Sequence, residues 1–359
     1  MKITVGLGSI EEYERFVQAG ADEFFCGYVP YEWSKKYGTV MPLNRREVLS
    51  YNVQIGSFSE MAILARMVQE YGRPVHLTFN SLYYLPEQYP EIAEIIKRCM
   101  EIGFQSYIIA DPALILYLRK QKIDCEIHLS GEAAEVNHGM VDFFQKMKLK
   151  RVIFHRKNTL EDMQSIIARQ RTKENMRAVS IKTDCMREMT PECGEMEFEA
   201  FVLNELCQFT GAFCNSLHCD EMGYLCRVPY QLGDVKTEKV QKSTKFDKGI
   251  PTETELTEVD LEKDISDEIA LTEKCRDSDG YLCGETGCGL CALYQLQEAG
   301  ITHLKLVGRG NYTDFMEKDI RNLRKGLDIL EHSDSEKTYL SNLQKVFFSD
   351  GCSGICYYR

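Results

Sequence analysis

Cysteine is the residue type whose distribution in this chain most clearly points to chemistry. The chain has 359 residues and 15 cysteines, and eight of these lie between residues 207 and 291. Thiolates are soft ligands that suit zinc and iron–sulfur clusters. In a reducing compartment, a dense group of cysteines more often binds metal than forms disulfides, and an odd total argues against complete pairing. The pattern therefore predicts a metal centre in this part of the chain.

The spacing of these cysteines favours an iron–sulfur cluster over zinc, with unliganded thiols as the third alternative. Structural zinc sites are usually built from pairs separated by two to four residues. The first group has gaps of six, four and six residues, whereas Cys288 and Cys291 form one C-x-x-C pair. Cys352 and Cys356 lie near the C-terminus, with no role assigned. The two groups are Cys207, Cys214, Cys219 and Cys226, then Cys283, Cys288 and Cys291.

Polar side chains at the carboxyl ends of predicted strands form a second set of candidates. Asn80, Asp111, Glu132 and Arg156 all occupy such positions, and in a barrel this face carries the active site. Glu132 is a candidate general acid or base. Arg156 and Arg309 are candidates for binding a carboxylate or phosphate. The alternative for each is a surface salt bridge or a helix cap, and Asp111 before a proline fits an N-cap equally well.

Eight short runs of β-branched and aromatic residues, alternating with helical patterns, are predicted to position these side chains. Repeated βα units indicate a parallel sheet. We expect a (β/α)8 TIM-like barrel. The second choice is an open doubly wound sheet, although no G-x-G-x-x-G follows the first strand. The predicted strands are residues 2–7, 23–29, 75–80, 106–110, 126–129, 151–155, 197–203 and 303–307.

Composition divides the chain into four segments. Residues 1–233 hold seven barrel strands and the first cysteine group, and residues 281–335 hold the second group and the last barrel unit. Residues 234–280 form an acidic insertion that we expect to be partly disordered or a small lid. Residues 336–359 are predicted to be a C-terminal tail.

Charge and hydropathy restrict the cellular location and the binding partners that we expect for this protein. The net charge of −12 disfavours a large electrostatic surface for nucleic acid, although a local basic patch remains compatible with it. The N-terminal residues read as a strand rather than a signal peptide, and no apolar run is long enough to span a membrane. We expect a cytoplasmic protein without a membrane partner.

Several segments, in order along the chain, resemble peptidase family U32, the collagenase-like peptidases. Residues 16–23 (FVQAGADE) resemble the family's AGADAVY, and residues 108–114 (IIADPAL) resemble ILADLAML. Residues 151–156 (RVIFHR) resemble RVVLxR, and residues 199–207 (EAFVLNELC) resemble EVFVxGxLC. Residues 298–309 (EAGITHLKLVGR) resemble EAGIDSxKIEGR. With shorter matches, the resemblance covers about residues 1–230 and 281–330.

The resemblance implies a barrel and a 4Fe-4S cluster held by four cysteines. It carries over directly to Cys207 and Cys214, and through the Leu-Cys-Arg context to Cys226. The fourth family cysteine, shortly before the EAG turn, falls on Cys288.

Other cysteines near these positions keep the ligand set open. Cys283 and Cys291 compete with Cys288 for the fourth position, and Cys219 is a further candidate ligand. The chain has more cysteines than the family pattern needs, which allows a second cluster.

The leading functional hypothesis combines the cluster with the barrel face. The family resemblance implies a 4Fe-4S-dependent enzyme that hydroxylates a small molecule or an RNA base without oxygen, or modifies it in a related way. Net acidity favours a small molecule or a protein-bound substrate. Two alternatives stay open. One is a peptidase of the collagenase-like type, and the other is a non-catalytic iron–sulfur redox or assembly partner that binds another protein or a redox donor.

Overall fold

Eight parallel strands form one closed barrel in this protein. The computed structural model describes residues 1–38, 42–44, 53–133, 136–183, 195–207, 276–349 and 351–358. Each strand pairs with the next, and β8 pairs with β1. The strands are β1 Lys2–Leu7, β2 Glu23–Gly27, β3 Val75–Phe79, β4 Ser106–Ile109, β5 Glu126–Leu129, β6 Leu149–Ile153, β7 Glu197–Leu203 and β8 His303–Leu306. The expected (β/α)8 barrel is confirmed, and the open sheet is wrong because β8 closes onto β1.

Helices alternate with these strands. The described helices are α1 Glu11–Ala19, α2 Tyr31–Tyr37, α3 Phe58–Tyr71, α4 Gln88–Glu101, α5 Pro112–Lys120, α6 His138–Gln145, α7 Leu160–Thr183, α8 Leu293–Ala299, α9 Thr313–Glu331 and α10 Glu336–Phe347. Helix α10 occupies the first half of the segment assigned to a tail. Most of the acidic insertion predicted at 234–280 lies outside the described residues. No helix in the described ranges has both the length and the apolar character needed to cross a membrane.

Local sequence explains where several helices begin and end. Ser57 and Glu60 form a capping box at the start of α3, in which each side chain binds the other residue's backbone N–H. Asp111 caps α5 by accepting a hydrogen bond from the Ala113 N–H, and Pro112 occupies the first helical position. Helix α1 ends at Gly20, whose φ of 109° is a left-handed conformation that favours glycine.

The two faces of the barrel wall differ in polarity. Outward-facing side chains such as Ile3, Val5 and Leu7 are fully buried in the apolar core. Inward-facing positions include the buried charged residues Glu23 and Arg151. Because barrel interiors are usually filled by branched aliphatic side chains, the polar interior of this barrel is a distinguishing feature.

Most strand boundaries agree with the sequence prediction, and β6 is the main exception. Strands β1, β5 and β7 have the predicted bounds. Strand β6 runs over Leu149–Ile153 rather than 151–155, because Leu149 already pairs with Ile127. His155 lies beyond the strand, where its backbone N–H donates to the Asn158 side chain at the start of a turn.

Candidate active site at the carboxyl ends of the strands

A network of buried charges fills the barrel below the carboxyl ends of the strands. Arg151 is its centre and lies 2.8 Å from both Glu23 and Glu199, and 2.7 Å from Glu197. Burial opposes the ionisation of Glu23, but hydrogen bonds from His303 and His76 and the charge of Arg151 outweigh it and lower the pKa of Glu23. The network therefore keeps its carboxylates ionised in the interior.

Lys305 connects this network to the space above it. Its ammonium donates to Glu199 at 2.6 Å and lies 3.8 Å from the centre of the Phe25 ring. Burial lowers the pKa of Lys305, while the Glu199 carboxylate opposes that shift. Burial alone would raise the pKa of Glu199, but Lys305 and Arg151 lower it to about 2. The two side chains form a buried ion pair at the base of the cavity described next.

A cavity of about 620 Å³, open to solvent, lies at the carboxyl ends of the strands. Its position is that of barrel active sites. Among the described residues that line it, three are cationic and two are acidic. These charged residues are Arg156, Lys305, Arg309, Glu132 and Glu205. The cavity therefore has a positive local charge balance although the whole chain is acidic.

Arg156 is one of the three cations of the cavity wall. Its guanidinium lies 3.9 Å from the centre of the Phe201 ring and donates to Glu132 at 3.3 Å. Its Nε is buried and has no hydrogen-bond partner among the described residues. An unsatisfied buried N–H is costly, so a ligand with an acceptor oxygen would relieve this cost. The prediction that Arg156 binds a carboxylate or phosphate is thus compatible with this geometry.

Arg309 reaches the cavity across two glycines of the barrel wall. A Cβ on Gly6 would lie 2.9 Å from the Arg309 Cγ, and a Cβ on Gly27 would lie 2.8 Å from its Nη1. The guanidinium lies 3.5 Å from the Thr78 hydroxyl oxygen, and the residue is buried. Larger residues at positions 6 and 27 would displace the arginine. The two glycines therefore create the room that places its charge in the cavity.

The turn after β7 shapes one rim of the cavity. Asn204 and Glu205 both have positive φ, 65° and 50°, which is uncommon for non-glycine residues. Hydrogen bonds to the 284–288 loop hold this turn, with the Asn204 N–H donating to the Gly287 oxygen at 2.9 Å and the Leu206 N–H to the Thr286 oxygen at 2.8 Å. These two hydrogen bonds fix the direction in which the chain leaves β7 towards Cys207.

The C-terminal segment packs against the same loop. Tyr357 donates its hydroxyl hydrogen to the Asn204 carbonyl and also contacts Arg156. Tyr358 donates to the Phe201 carbonyl at 2.6 Å. Burial raises the pKa of Tyr357 to about 12, although Arg156 opposes the shift. Tyr357 and Tyr358, near the end of the described chain, thus support the part of the cavity wall that Phe201 and Arg156 form.

The predicted cluster ligands are only partly described. Cys207 is half-buried at the end of the turn that follows β7. Cys288 is half-buried in the 284–288 loop, which is hydrogen-bonded to this turn. Cys214, Cys219 and Cys226 lie outside the described residues. Within the described part of the chain, no three His, Cys, Asp or Glu side chains are arranged to hold a metal ion. The four-cysteine cluster therefore stays a prediction.

The structure brings together four of the five polar candidates. Asn80, Glu132, Arg156 and Arg309 line the cavity. Asp111 is not among the lining residues, because its carboxylate caps α5 and accepts hydrogen bonds from the Tyr84 N–H and the Tyr89 hydroxyl. The structure therefore agrees with the alternative interpretation of Asp111 as a helix N-cap.

Sequence reasoning missed several residues of this site. Lys305 and Phe25 line the cavity, and Tyr357 supports its wall. A signal for Lys305 was present, since a lysine in an otherwise apolar predicted strand must find a partner if it faces inward. Tyr357 had no such signal, because its contact with Asn204 joins positions 153 residues apart.

Comparison with protein families gives a match along nearly the whole chain. Residues 8–358 match the profile of Peptidase family U32. Two curated proteins are similar over shorter stretches. One is tRNA hydroxylation protein P of Escherichia coli (strain K12), 32% identical over 33% of this chain and 21% of its own length. The other is tRNA hydroxylation protein P1 of Bacillus subtilis (strain 168), 24% identical over 42% of this chain and 32% of its own length.

These matches therefore span less than a third of the length of either curated relative. Among solved structures, the chain is similar to the U32 peptidase Mk0906, with a TM-score of 0.37 and 13% identity, over 56% of this chain and 69% of that one. A putative phosphonomutase from Burkholderia cenocepacia J2315 has a TM-score of 0.30 and 9% identity, over 58% of this chain and 80% of that one.

Proposed function

Since this chain belongs to peptidase family U32, we propose that it is an enzyme that hydroxylates a base of RNA in the cavity at the carboxyl ends of the strands. Two curated relatives carry tRNA hydroxylation in their names. Their similarity covers only part of each protein, so the RNA substrate is part of this proposal. The barrel face, its cations and its aromatic wall are the features that support it.

The Nε of Arg156, which is buried and has no hydrogen-bond partner in the described part of the chain, is the observation that carries the proposal. Arg156 stacks on Phe201 and lines a cavity that Lys305 and Arg309 also line. Guanidinium groups bind carboxylate and phosphate oxygens through parallel hydrogen bonds and stack on planar groups. Such a wall suits a nucleotide, or an acidic co-substrate held beside a base. It also supplies locally the positive charge that a chain of net charge −12 lacks overall.

The other lining residues divide into proton-transfer and positioning roles. Glu132 accepts a hydrogen bond from Arg156 at 3.3 Å, and we assign it the role of general acid or base. Asn80, at the end of β3, offers an amide that can bind a base edge. Phe25 and Phe201 provide apolar surface against which a planar base can stack.

A 4Fe-4S cluster, bound by Cys207, Cys214, Cys226 and Cys288, remains part of the proposal. The donor chemistry fits, because these are four soft ligands in the family's order. Cys207 also lies close enough to Arg156 for its thiol to act on the pKa of that guanidinium. When bound, such a cluster supplies electron transfer next to the substrate.

Two alternatives from the sequence make different predictions. A peptidase requires a nucleophile activated by a base or by a metal. Ser130 lines the cavity, but no histidine is among the described lining residues. Peptide cleavage by the purified protein that survives loss of iron would favour this alternative. If the protein were a non-catalytic partner, the amount of modified nucleoside would not depend on Arg156.

The test compares RNA nucleosides by mass spectrometry in a strain with the gene deleted and in complemented strains. We expect the deletion to remove one nucleoside that is heavier by one oxygen and to leave its unmodified precursor. The native gene and Arg66→Ala should restore the product, because Arg66 is exposed on α3 away from the cavity. Arg156→Ala should not restore it. An unchanged nucleoside profile after deletion would refute an RNA substrate.

A further inference from the structure

Three tyrosines are far more exposed than the other large apolar side chains that the structure describes. Tyr312 is 80% exposed, Tyr31 is 70% exposed and Tyr83 is 66% exposed. The next of the described side chains in this order is Phe143 on helix α6, at 48%. A single exposed apolar side chain needs no explanation, but three that share one position in the fold do.

The three tyrosines all lie in loops that follow strands at the cavity. Tyr83 comes three residues after Asn80, and Tyr312 comes three residues after Arg309. Both Asn80 and Arg309 line the cavity. Tyr31 begins α2, in the loop that follows β2. Because the carboxyl ends of parallel strands meet at one end of a barrel, the three side chains lie on the rim of the same opening.

The tyrosines occupy one side of this opening. They follow β8, β2 and β3, and the strands β8, β1, β2 and β3 are consecutive neighbours in the closed sheet. Arg156 follows β6 and Phe201 lies in β7. In a ring of eight strands, β6 and β7 are opposite β2 and β3. The tyrosines therefore lie across the opening from the wall that Arg156 and Phe201 form.

The loop that carries Tyr83 is fixed by buried hydrogen bonds. The neighbouring Tyr84 donates its hydroxyl hydrogen to the Leu43 oxygen at 2.6 Å, and its N–H donates to Asp111 at 3.2 Å. Tyr84 is buried, whereas Tyr83 is exposed. The loop thus anchors one tyrosine in the core and presents the next one to solvent.

The other two tyrosines are also carried by ordered segments. Before Tyr31, the Val29 N–H donates to the Ile55 oxygen at 3.0 Å. The ring of Tyr312 packs edge-on against Phe315, with 5.8 Å between the ring centres. A ring on an ordered segment loses little conformational entropy when a ligand binds to it, so these positions are suited to binding.

Bases of RNA are the ligands that suit such rings in this protein. Every base has a flat face, so stacking on an aromatic side chain tolerates any sequence and requires no charge. A chain of net charge −12 gains little from contacts with phosphates, and stacking can supply the affinity that its charge does not. The three cations inside the cavity provide positive charge where the RNA would enter.

The width of this side of the opening fits several nucleotides. Neighbouring strands lie about 4.8 Å apart, so the three intervals from β8 to β3 span about 14 Å at the barrel wall. Successive stacked bases of one strand are about 3.4 Å apart. The three rings can therefore contact different nucleotides of one RNA segment.

We propose that Tyr31, Tyr83 and Tyr312 form a stacking surface, the tyrosine rim, that binds the unpaired nucleotides next to the base in the cavity. This inference rests on the RNA substrate proposed above and adds how the RNA is held outside the cavity. It requires an unpaired target segment, since bases inside a duplex are not free to stack on side chains. The tyrosine rim acts in binding, separately from the proton transfer assigned to Glu132.

The experiment measures how the full-length protein binds a fluorescent single-stranded RNA of mixed sequence, about 12 nucleotides long, by fluorescence anisotropy. Tyr31→Ala, Tyr83→Ala and Tyr312→Ala should each weaken binding between about 5-fold and 100-fold, as expected for the loss of one stacked base. Replacement of the same residues by phenylalanine keeps the rings and should leave binding within about twofold of native. Phe143→Ala removes an exposed ring from α6 and is the matched control, which should bind like native.

Two further measurements separate stacking from charge and from folding. The slope of the logarithm of the binding constant against the logarithm of salt concentration should be the same in the native protein and the alanine variants, because tyrosine neutralises no phosphate. Thermal unfolding should be nearly unchanged, because the three side chains are exposed. Ultraviolet cross-linking should attach the RNA to peptides that contain these tyrosines.

Several outcomes would overturn the tyrosine rim. They are a native protein that does not bind the RNA, unchanged binding in Tyr31→Ala/Tyr83→Ala/Tyr312→Ala, and cross-links confined to helices such as α6. Binding of a second protein instead of RNA through these rings would also overturn it. Failure of the proposed hydroxylation differs, because the nucleoside profile then does not change on deletion although the rim still binds RNA. Where product forms, the alanine variants should raise the KM for RNA and leave kcat nearly unchanged.

Discussion

The ammonium of Lys305 lies 2.6 Å from a carboxylate oxygen of Glu199, and both residues are buried at the base of the cavity. Removing one member of a buried pair leaves an uncompensated charge. We expect Lys305→Met to reduce the free energy of unfolding by about 3 kcal/mol, at the low end of the usual range because Arg151 still pairs with Glu199. Denaturant unfolding measures this loss.

The companion variant for this pair is Lys305→Met/Glu199→Gln. It removes both charges, so it should recover part of the lost stability. Glu199→Gln alone completes the cycle, and a loss in the double variant equal to the sum of the two single losses would show that the two residues are not coupled.

Glu132 is the residue to which we assign proton transfer. Glu132→Gln keeps the shape of the side chain and replaces a partly buried ion pair with Arg156 by a neutral hydrogen bond. We expect a loss of stability of about 1 kcal/mol or less. Product formation should fall by about 100-fold or more, as expected for removal of a general acid or base. Product yield and thermal unfolding on the same preparation separate the two effects. Activity within a few-fold of native would remove Glu132 from this role.

The buried carboxyl of Asp319 should make the stability of the protein depend on pH. Burial raises the pKa of this α9 carboxyl from 3.8 to about 6, although hydrogen bonds from Asn204 and Tyr281 oppose the shift. The folded state therefore binds this proton more tightly than the unfolded state. Its contribution to stability is complete below pH 4 and is lost as the pH rises through 6.

Asp319→Asn should remove this contribution, which amounts to at most about 3 kcal/mol between pH 4 and pH 7. Unfolding of both proteins in urea at several pH values gives the difference curve. A difference that stays constant from pH 4 to pH 7 would contradict the assignment.

Tyr357 is expected to matter for both stability and binding. Tyr357→Phe removes the hydroxyl that donates to the Asn204 carbonyl and contacts Arg156. We expect a loss of about 1–2 kcal/mol, since a buried acceptor is left unpaired, together with weaker substrate binding. Tyr312→Phe is the control, because Tyr312 is 80% exposed. If both variants behave like the native protein, the C-terminal segment does not support the cavity.

Iron analysis tests the cluster. Anaerobically purified native protein should contain about four irons per chain with matching sulfide. Cys207→Ala should lose them, and Cys125→Ala should retain them. About eight irons would indicate a second cluster in the additional cysteines. A native protein with zinc and no iron would exclude the cluster.

Sequence patterns were sufficient for the wall of the barrel. Strands such as Lys2–Leu7 and Glu197–Leu203 are short runs between turn signals, and such runs can be recognised locally. The position of Glu132, Arg156 and Asn80 at one face followed from the same strands, because carboxyl ends of parallel strands meet at one end of a barrel.

The contents of the barrel could not be predicted in the same way. Glu23 and Arg151 are separated by 128 residues, and nothing near either of them indicates that they meet. The same applies to Cys288 and Cys356, whose pairing depends on how the C-terminal segment returns to the loop. Helix α10, over Glu336–Phe347, lies in the segment that the sequence predicts to be a C-terminal tail. These features arise from tertiary packing, which local periodicity does not encode.

The closure of β8 onto β1 also determines how this protein can meet a large substrate. A sheet without an edge cannot extend by adding a strand from another molecule. A large substrate such as the RNA proposed above would therefore be recognised by the loops around the rim and by the side chains below them. Such loops can change in length and sequence without altering the ring of backbone hydrogen bonds. Substrate choice in a barrel of this kind can evolve while its framework stays constant.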